Sequence, residues 1–595
     1  MTSQQSASMT ASAEGLGSLA ASLIGTALTS LAEPLLSELS LDPDDVADTL
    51  EQGLEYIIPV DQMLLDGLVF APGAWGTYAT TFGDRVDWFD RLVDQVIAPY
   101  PAPGSLFAEW DREGEMNTYH QTPERTELGK ADENASPVHF YDIYSQAIFG
   151  SEATGLEPEL FQDKNWDELF INMSVGQLFP DLAKAQSLQD LIDAPIPSEW
   201  LKVTYNRPRP KSALVDMDAG DFAWDDDYPE AGGKSYVSGH TFGGFLFALP
   251  LTWVFPERGE EILSRALQFG ESRVVVGAHF PSDTIASRAM MYYYDAQMLQ
   301  DPQLKAFILD HTQALRQALN SDTDGALQTL LVNAGNPLAD AYATDGDAIG
   351  YYGQAIADAT PGTDPANIPA LAANLLMFRF PYLSDTERRD ILASTSYPED
   401  SLAGFMLDEG NPDSYWALID LPNAYRGPTQ LDQDMIVNQV SSDDDLTGFG
   451  QADNWENNIT GPGHLIKEGT GTLTLGGDNA FGGIEVDAGR LILSGDNQLD
   501  DTLYIKGGEL VVNGDLDAHV VLDGGALSGT GSLSSRTVED GANNFTGQLD
   551  SQVAERLVTD SAALAAPAGG ASQVSPLTPA DLQQQAQALL STALS

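Results

Sequence analysis

Cysteine is absent from all 595 residues. Disulfides, thiolate metal sites and a cysteine nucleophile are therefore excluded. Positive charge is scarce: 27 Lys and Arg stand against 89 Asp and Glu, for a formal net charge of −62. So acidic a surface repels nucleic acid and anionic membrane, and neither is expected as a partner. The acidity reads as solubility in a salty medium in preference to binding a particular divalent cation. No Lys or Arg precedes Arg85, so the charged n-region of a secretory leader is missing. Long apolar runs are missing too. The stretch Leu16–Leu36 is diluted by Ser, Thr, Gly and Ala, and Phe242–Phe255 is too short to span a bilayer. The first reads as an amphipathic or loosely ordered leader, the second as a buried helix, and no integral membrane segment is expected.

What is present suffices for more than one core. A hydrophobic content of 43% in a chain of this length predicts two to four units. Between residues 42 and 440 apolar residues recur at three- and four-residue spacing, as in Leu182–Asp193, Glu260–Phe269, Asp283–Leu299 and Pro302–Leu319. This part is expected to be one all-α domain with long loops such as Asp216–Lys234. Residues 441–545 change character: Gly471–Leu475, Gly489–Leu493, Gly508–Val512 and Gly525–Gly529 are short alternating runs opened by Gly, about 18 residues apart. A small β-solenoid is expected there, with stacked coils burying one apolar column, in preference to a sandwich. Residues 1–41 form the leader. Residues 546–595 are Ala-, Ser- and Gln-rich and read as a linker with a last helix at Pro579–Leu594.

Three blocks in the helical part carry chemistry. Lys202 is followed after six residues by Arg209-Pro210. Ser238-Gly239-His240 opens the apolar run. Ser272-Arg273 leads after five residues to His279 and then to Asp283. Phosphoryl transfer needs positive charge and N–H donors around the equatorial oxygens, an in-line nucleophile and a proton source. Lys202 and Arg209 supply charge, and Arg207-Pro208-Arg209-Pro210 cannot continue a helix and so fixes Arg209 at a turn. Ser238 and Gly239 stand at the start of a helix, where backbone N–H groups favour an anion. Asp283, four residues after His279, can hold one ring nitrogen and leave the other free.

The pattern Lys-x6-Arg-Pro, Ser-Gly-His, Ser-Arg-x5-His-x3-Asp resembles the type 2 phosphatidic acid phosphatase superfamily. That family includes the bacterial class A nonspecific acid phosphatases and, on the same fold, the vanadium-dependent haloperoxidases. The resemblance implies that His279 is a nucleophile forming a phosphohistidine, that Asp283 orients it, and that His240 is general acid and then base. Lys202, Arg209, Ser238, Gly239 and Arg273 would hold the phosphoryl oxygens, with no metal and no other cofactor. Val237 departs from the pattern, which has Pro before Ser-Gly-His. The runs Gly469–Leu475 and Gly483–Gly489 resemble the autotransporter-associated β-strand repeat of bacterial surface and secreted proteins.

The expectation is thus a soluble phosphomonoesterase acting on a small phosphorylated substrate, with homo-oligomers compatible. Placement would be secreted, cell-surface or periplasmic, against the missing signal peptide. The alternatives are a haloperoxidase holding vanadate in the same pocket, or a surface protein with a vestigial enzyme domain. His120, His139, His311, His464 and His519 lack catalytic context. The acidic stretch Asp216–Asp227 lacks a closing Glu and reads as a solvated loop or pocket rim before a calcium loop. Asn320–Gly325 reads as a turn.

Overall fold

The structure is a computed structural model that describes residues 104–118, 123–133, 205–213, 234–300, 362–407, 411–440 and 447–535, with scattered positions elsewhere between 144 and 549. The expected leader, the helices Leu182–Asp193 and Pro579–Leu594, the acidic stretch Asp216–Asp227, and His120, His139 and His311 lie outside the described residues. Two compact units are present. One comprises residues 1–378 and 396–422, the other residues 379–395 and 423–595.

The first unit is helical. Its described helices include α1 (Leu106–Thr118), α2 (Pro123–Glu133), α3 (Gly239–Val254), α4 (Gly259–Val275) and α5 (Pro281–Gln300). Every residue of α3 is buried. A helix apolar on all sides must lie at the centre of its unit, and α3 packs against both α4 and α5. A methyl at Gly244 would meet the Phe269 ring at 3.0 Å, so the missing side chain lets α3 and α4 approach closely. The Tyr144 hydroxyl donates to the Gly244 carbonyl at 2.8 Å from another side. Two further expected helices, Glu260–Phe269 and Asp283–Leu299, fall inside α4 and α5.

The second unit is the expected β-solenoid, built from parallel strands in two sheets, one seven-stranded and one six-stranded. The first sheet holds β1 (Met435–Gln439), β3 (Thr460–Gly469), β5 (Asn479–Val486), β7 (Asp496–Ile505), β9 (Asp515–Leu522), β11 (Ser532–Ser535) and β13 (Gln548–Leu549). The second holds β2 (Ala452–Trp455), β4 (Thr472–Leu475), β6 (Arg490–Leu493), β8 (Glu509–Val512), β10 (Ala526–Ser528) and β12 (Ala542–Asn543). Alternation turns every second residue inward. Leu473, Leu491, Leu510 and Leu527 consequently stack in register as one buried column. Each such leucine contributes about 1.5–3 kcal/mol on burial. Asn479 and Asn497 form a buried rung of the ladder, with Nδ2 of the first donating to Oδ1 of the second at 2.8 Å.

This unit starts earlier than residue 441. Strand β1 pairs with β3 from Met435. Arg379 donates to Asp453 at 2.7 Å and to the Tyr425 carbonyl at 2.8 Å, which ties residues 379–395 to the first coil. Helix α6 (Asp385–Thr395) belongs to that segment. These ties run between residues far apart in the chain, and no glycine-led repeat announces them. His464 is exposed on β3, with Asp434 at 3.1 Å and Asp501 at 3.2 Å on its two ring nitrogens.

Candidate active site

The turn between α4 and α5 builds the centre of the site. Helix α4 ends where Gly277 takes φ 73°, a left-handed conformation that suits glycine. The Ala278 and His279 N–H groups then both donate to the Arg273 carbonyl, at 2.9 and 3.2 Å. The chain is thereby folded back so that His279 lies over the turn that carries Arg273. Pro281 occupies the first position of α5, where its missing N–H costs nothing. Asp283 lies in that first turn, and its Oδ2 accepts the Phe280 N–H at 2.9 Å, closing the helix start in the manner of a capping box.

The same Oδ2 faces Nδ1 of His279 at 3.3 Å. On the other side of the ring, Nε2 is 3.0 Å from Nη1 of Arg209, which also donates to the Ala278 carbonyl at 2.9 Å. A guanidinium has no lone pair to offer, so Nε2 must be the acceptor there. This assigns the tautomer: the proton is on Nδ1, toward Asp283, and the lone pair is on Nε2, toward the cations.

Helix α3 supplies the opposite wall. Ser238 is its N-cap, and its Oγ accepts the Thr241 N–H at 3.3 Å. The Ser238 N–H donates to the Asp283 carbonyl at 3.2 Å, and the Ser287 hydroxyl donates to the Ser238 carbonyl at 2.7 Å. These two bonds fix the start of α3, with Gly239 and His240 in its first turn, against the start of α5. Val237 is fully buried and is joined to Tyr236 by a cis peptide bond.

All the expected site residues are buried: Lys202, Arg209, Ser238, His240, Arg273, His279 and Asp283, with Gly239 among them. Their electrostatics show that they act on one another. Burial pushes the His279 pKa well below the usual histidine range, and the positive charges of Arg209, Arg273 and Lys202 push it further. Burial likewise depresses His240, followed by His279, Arg209 and Lys202. Both imidazoles are therefore neutral near pH 7. Asp283 is raised by burial, while Arg207 and the hydrogen bonds it accepts oppose that rise.

Sequence reasoning passed over several residues that hold this arrangement. Asp132 of α2 binds Arg265 at 2.5 Å and accepts the Ser272 hydroxyl at 2.6 Å, so it anchors α4 next to Arg273. Asp111 of α1 accepts both the Ser282 N–H at 2.8 Å and its hydroxyl at 2.7 Å, and pairs with Arg207. Arg207 appeared in the sequence only as part of a helix-breaking run. Its one readable signal was the two-residue spacing from Arg209 in a proline-locked extended segment, where alternate side chains share a side.

Parts of both units resemble known proteins. The PAP2 superfamily pattern matches residues 190–304, and the chain carries that domain. The passenger-associated transport repeat matches residues 465–493 and 486–512, within the solenoid. A non-specific acid phosphatase of Salmonella typhimurium is 52% identical over 54 residues, which is 9% of this chain and 22% of that enzyme. An acid phosphatase of Zymomonas mobilis is 36% identical over 115 residues, covering 18% of this chain and 42% of that enzyme. The neisserial autotransporter lipoprotein NalP of Neisseria meningitidis is 29% identical over 173 residues, covering 29% of this chain and 14% of that protein. The chain thus spans less than half the length of each of these relatives. No helix of the described residues is long and apolar enough to cross a membrane.

Proposed function

We propose that the helical unit is a phosphomonoesterase working through a phosphohistidine on His279. The observation that carries this reading is the polarised imidazole: Nδ1 on a carboxylate and Nε2 turned to a buried group of cations. A neutral imidazole with its lone pair on Nε2 is a competent nucleophile, and Asp283 is placed to stabilise the positive charge that develops when Nε2 becomes bonded to phosphorus. Lys202, Arg209 and Arg273 would take the three equatorial oxygens, with the N–H groups at the start of α3 and the Ser238 hydroxyl alongside.

In the first step the Nε2–P bond forms and the P–O bond to the leaving group breaks. His240 gives that oxygen its proton. In the second step His240 takes a proton from water, the water oxygen attacks phosphorus, and the N–P bond breaks to release phosphate and restore the lone pair on Nε2. His240 is neutral in the free enzyme because burial and nearby cations disfavour its charge. A bound phosphate ester brings negative charge that offsets those cations, so substrate binding favours the protonated, acid form of His240.

The solenoid reads as a placement module. Its match to a passenger-associated repeat and the likeness to an autotransporter support an extracellular or surface location for the enzyme. In the test, purified protein is assayed with p-nitrophenyl phosphate and, separately, with vanadate, peroxide and bromide. Phosphate release is expected in the first assay, with a loss of more than ~10³-fold in His279→Ala, as for an irreplaceable nucleophile. Bromide oxidation alone would overturn the assignment and favour the haloperoxidase alternative.

A further inference from the structure

We propose that Arg207 is a positioning residue: it holds Asp283 ionised and oriented so that His279 keeps its proton on Nδ1 and its lone pair on Nε2. The kinetic consequence rests on the phosphohistidine reading above; the structural one does not. Nη1 of Arg207 donates to Oδ1 of Asp283 at 2.6 Å and to the Ser282 hydroxyl at 2.8 Å. Nη2 pairs with Oδ2 of Asp111. The guanidinium carbon lies 4.0 Å above the centre of the Phe280 ring. Carboxylates on two edges and an aromatic face beneath fix the planar fork, an arrangement that a lysine ammonium reproduces only in charge.

The division of labour on Asp283 follows from these contacts. Oδ1 is taken by Arg207, which leaves Oδ2 for the Phe280 N–H and for Nδ1 of His279. A buried carboxyl tends to take up a proton, and a protonated Asp283 can no longer accept from Nδ1. Several groups face Asp283. Arg207 favours its charge, as do the Phe280 N–H and the Ser235 hydroxyl. Asp111 and Glu115 of α1, and Tyr236 before α3, feel its negative charge as like-charge repulsion. Both carboxyl oxygens of Glu115 are buried with no hydrogen-bond partner among the described residues. Burial and its two carboxylate neighbours push Glu115 well up. Arg207 is the cation hydrogen-bonded directly to Asp283, which suits it to keep Asp283 charged. Arg209 occupies the far side of the imidazole. Two arginines separated by one proline thus bracket the His279–Asp283 pair from its two ends.

The test uses the full chain with ¹⁵N-labelled histidine, the His279 signals being assigned by their loss in His279→Gln. The wild type is expected to show a protonated Nδ1 and an unprotonated Nε2. Arg207→Gln is expected to mix the two tautomers. It should also lower kcat roughly 10–100-fold, the scale of a lost outer-shell partner, with KM nearly unchanged. The acidic limb of its pH–rate profile should move to higher pH. Arg207→Lys should restore the limb while recovering only part of kcat. An unchanged His279 tautomer and an unmoved acidic limb in Arg207→Gln, with only a lower melting temperature, would overturn the proposal. Should Arg207→Gln fail to fold, Arg207→Lys decides: partly mixed tautomers beside an unmoved limb are expected, and a His279 spectrum and kcat both identical to the wild type would overturn the proposal. A wild type inactive on phosphate esters would sink the phosphatase reading, and the imidazole spectrum would still decide the role of Arg207.

Discussion

The two units bury different things. In the solenoid the inward positions are Leu, Val, Ile and Asn, and carboxylates such as Asp478, Asp496 and Asp515 face solvent at successive coils. Where that unit does bury charge, the charge is closed off: Arg379 on Asp453, or Lys467 donating to the Glu468 carbonyl at 2.6 Å. The helical unit instead buries Lys202, Arg209, Arg273, two histidines and several carboxylates around one point. Taking charge out of water is costly, and replacing such groups by apolar ones is often neutral or stabilising. Gathering these groups around His279 therefore fits the anion-handling site proposed above.

This contrast can be broken by substitutions placed on either side of it. Leu491→Ala removes the middle of a stacked column and should cost the solenoid about 2–5 kcal/mol. Scanning calorimetry would show one transition lowered, while turnover of p-nitrophenyl phosphate by the folded protein stays within about twofold. A large loss of turnover at temperatures where the solenoid remains folded would mean that the units are not chemically separate.

A pH-dependent effect is expected inside the helical unit. Asp295 of α5 is pushed up to about 8 by burial, partly offset by a hydrogen bond from Trp253. Its folded pKa is raised above the unfolded one, so its contribution is fully present below about pH 4 and is lost as pH rises through about 8. Asp295→Asn should therefore gain on the wild type by up to about 1.4 kcal/mol per pH unit across that window. Denaturation of both proteins at pH 5 and pH 8 checks this. A constant difference between them would show that Asp295 is ionised throughout.

Much of the site was legible because its residues sit in three short blocks whose spacing survives folding. The spacing of Asp283–Leu299 announced α5, and the apolar run after His240 announced α3. The solenoid was legible from its glycine-led alternation. What stayed hidden depends on distance along the chain. Asp111 lies 96 residues before Arg207 and 171 before Ser282, and nothing in a local pattern links them. Arg207 was in plain view but served two purposes, as part of a helix-breaking run and as the clamp on Asp283. Only the first can be read from neighbours. Strand β1 was missed for a related reason: Met435–Gln439 alternates without an opening glycine, and its partner β3 begins beyond an intervening strand.

The central claim is that the chemistry passes through Nε2 of His279. The direct measurement is to mix the enzyme with a ³²P-labelled phosphate monoester, quench in alkali within milliseconds, and map the label by peptide digestion. Label that is stable in base, labile in acid, and confined to the peptide carrying His279 is the predicted result, with more of it retained in His240→Ala. Turnover that proceeds with no label on that peptide, or with label on another residue, would contradict the account.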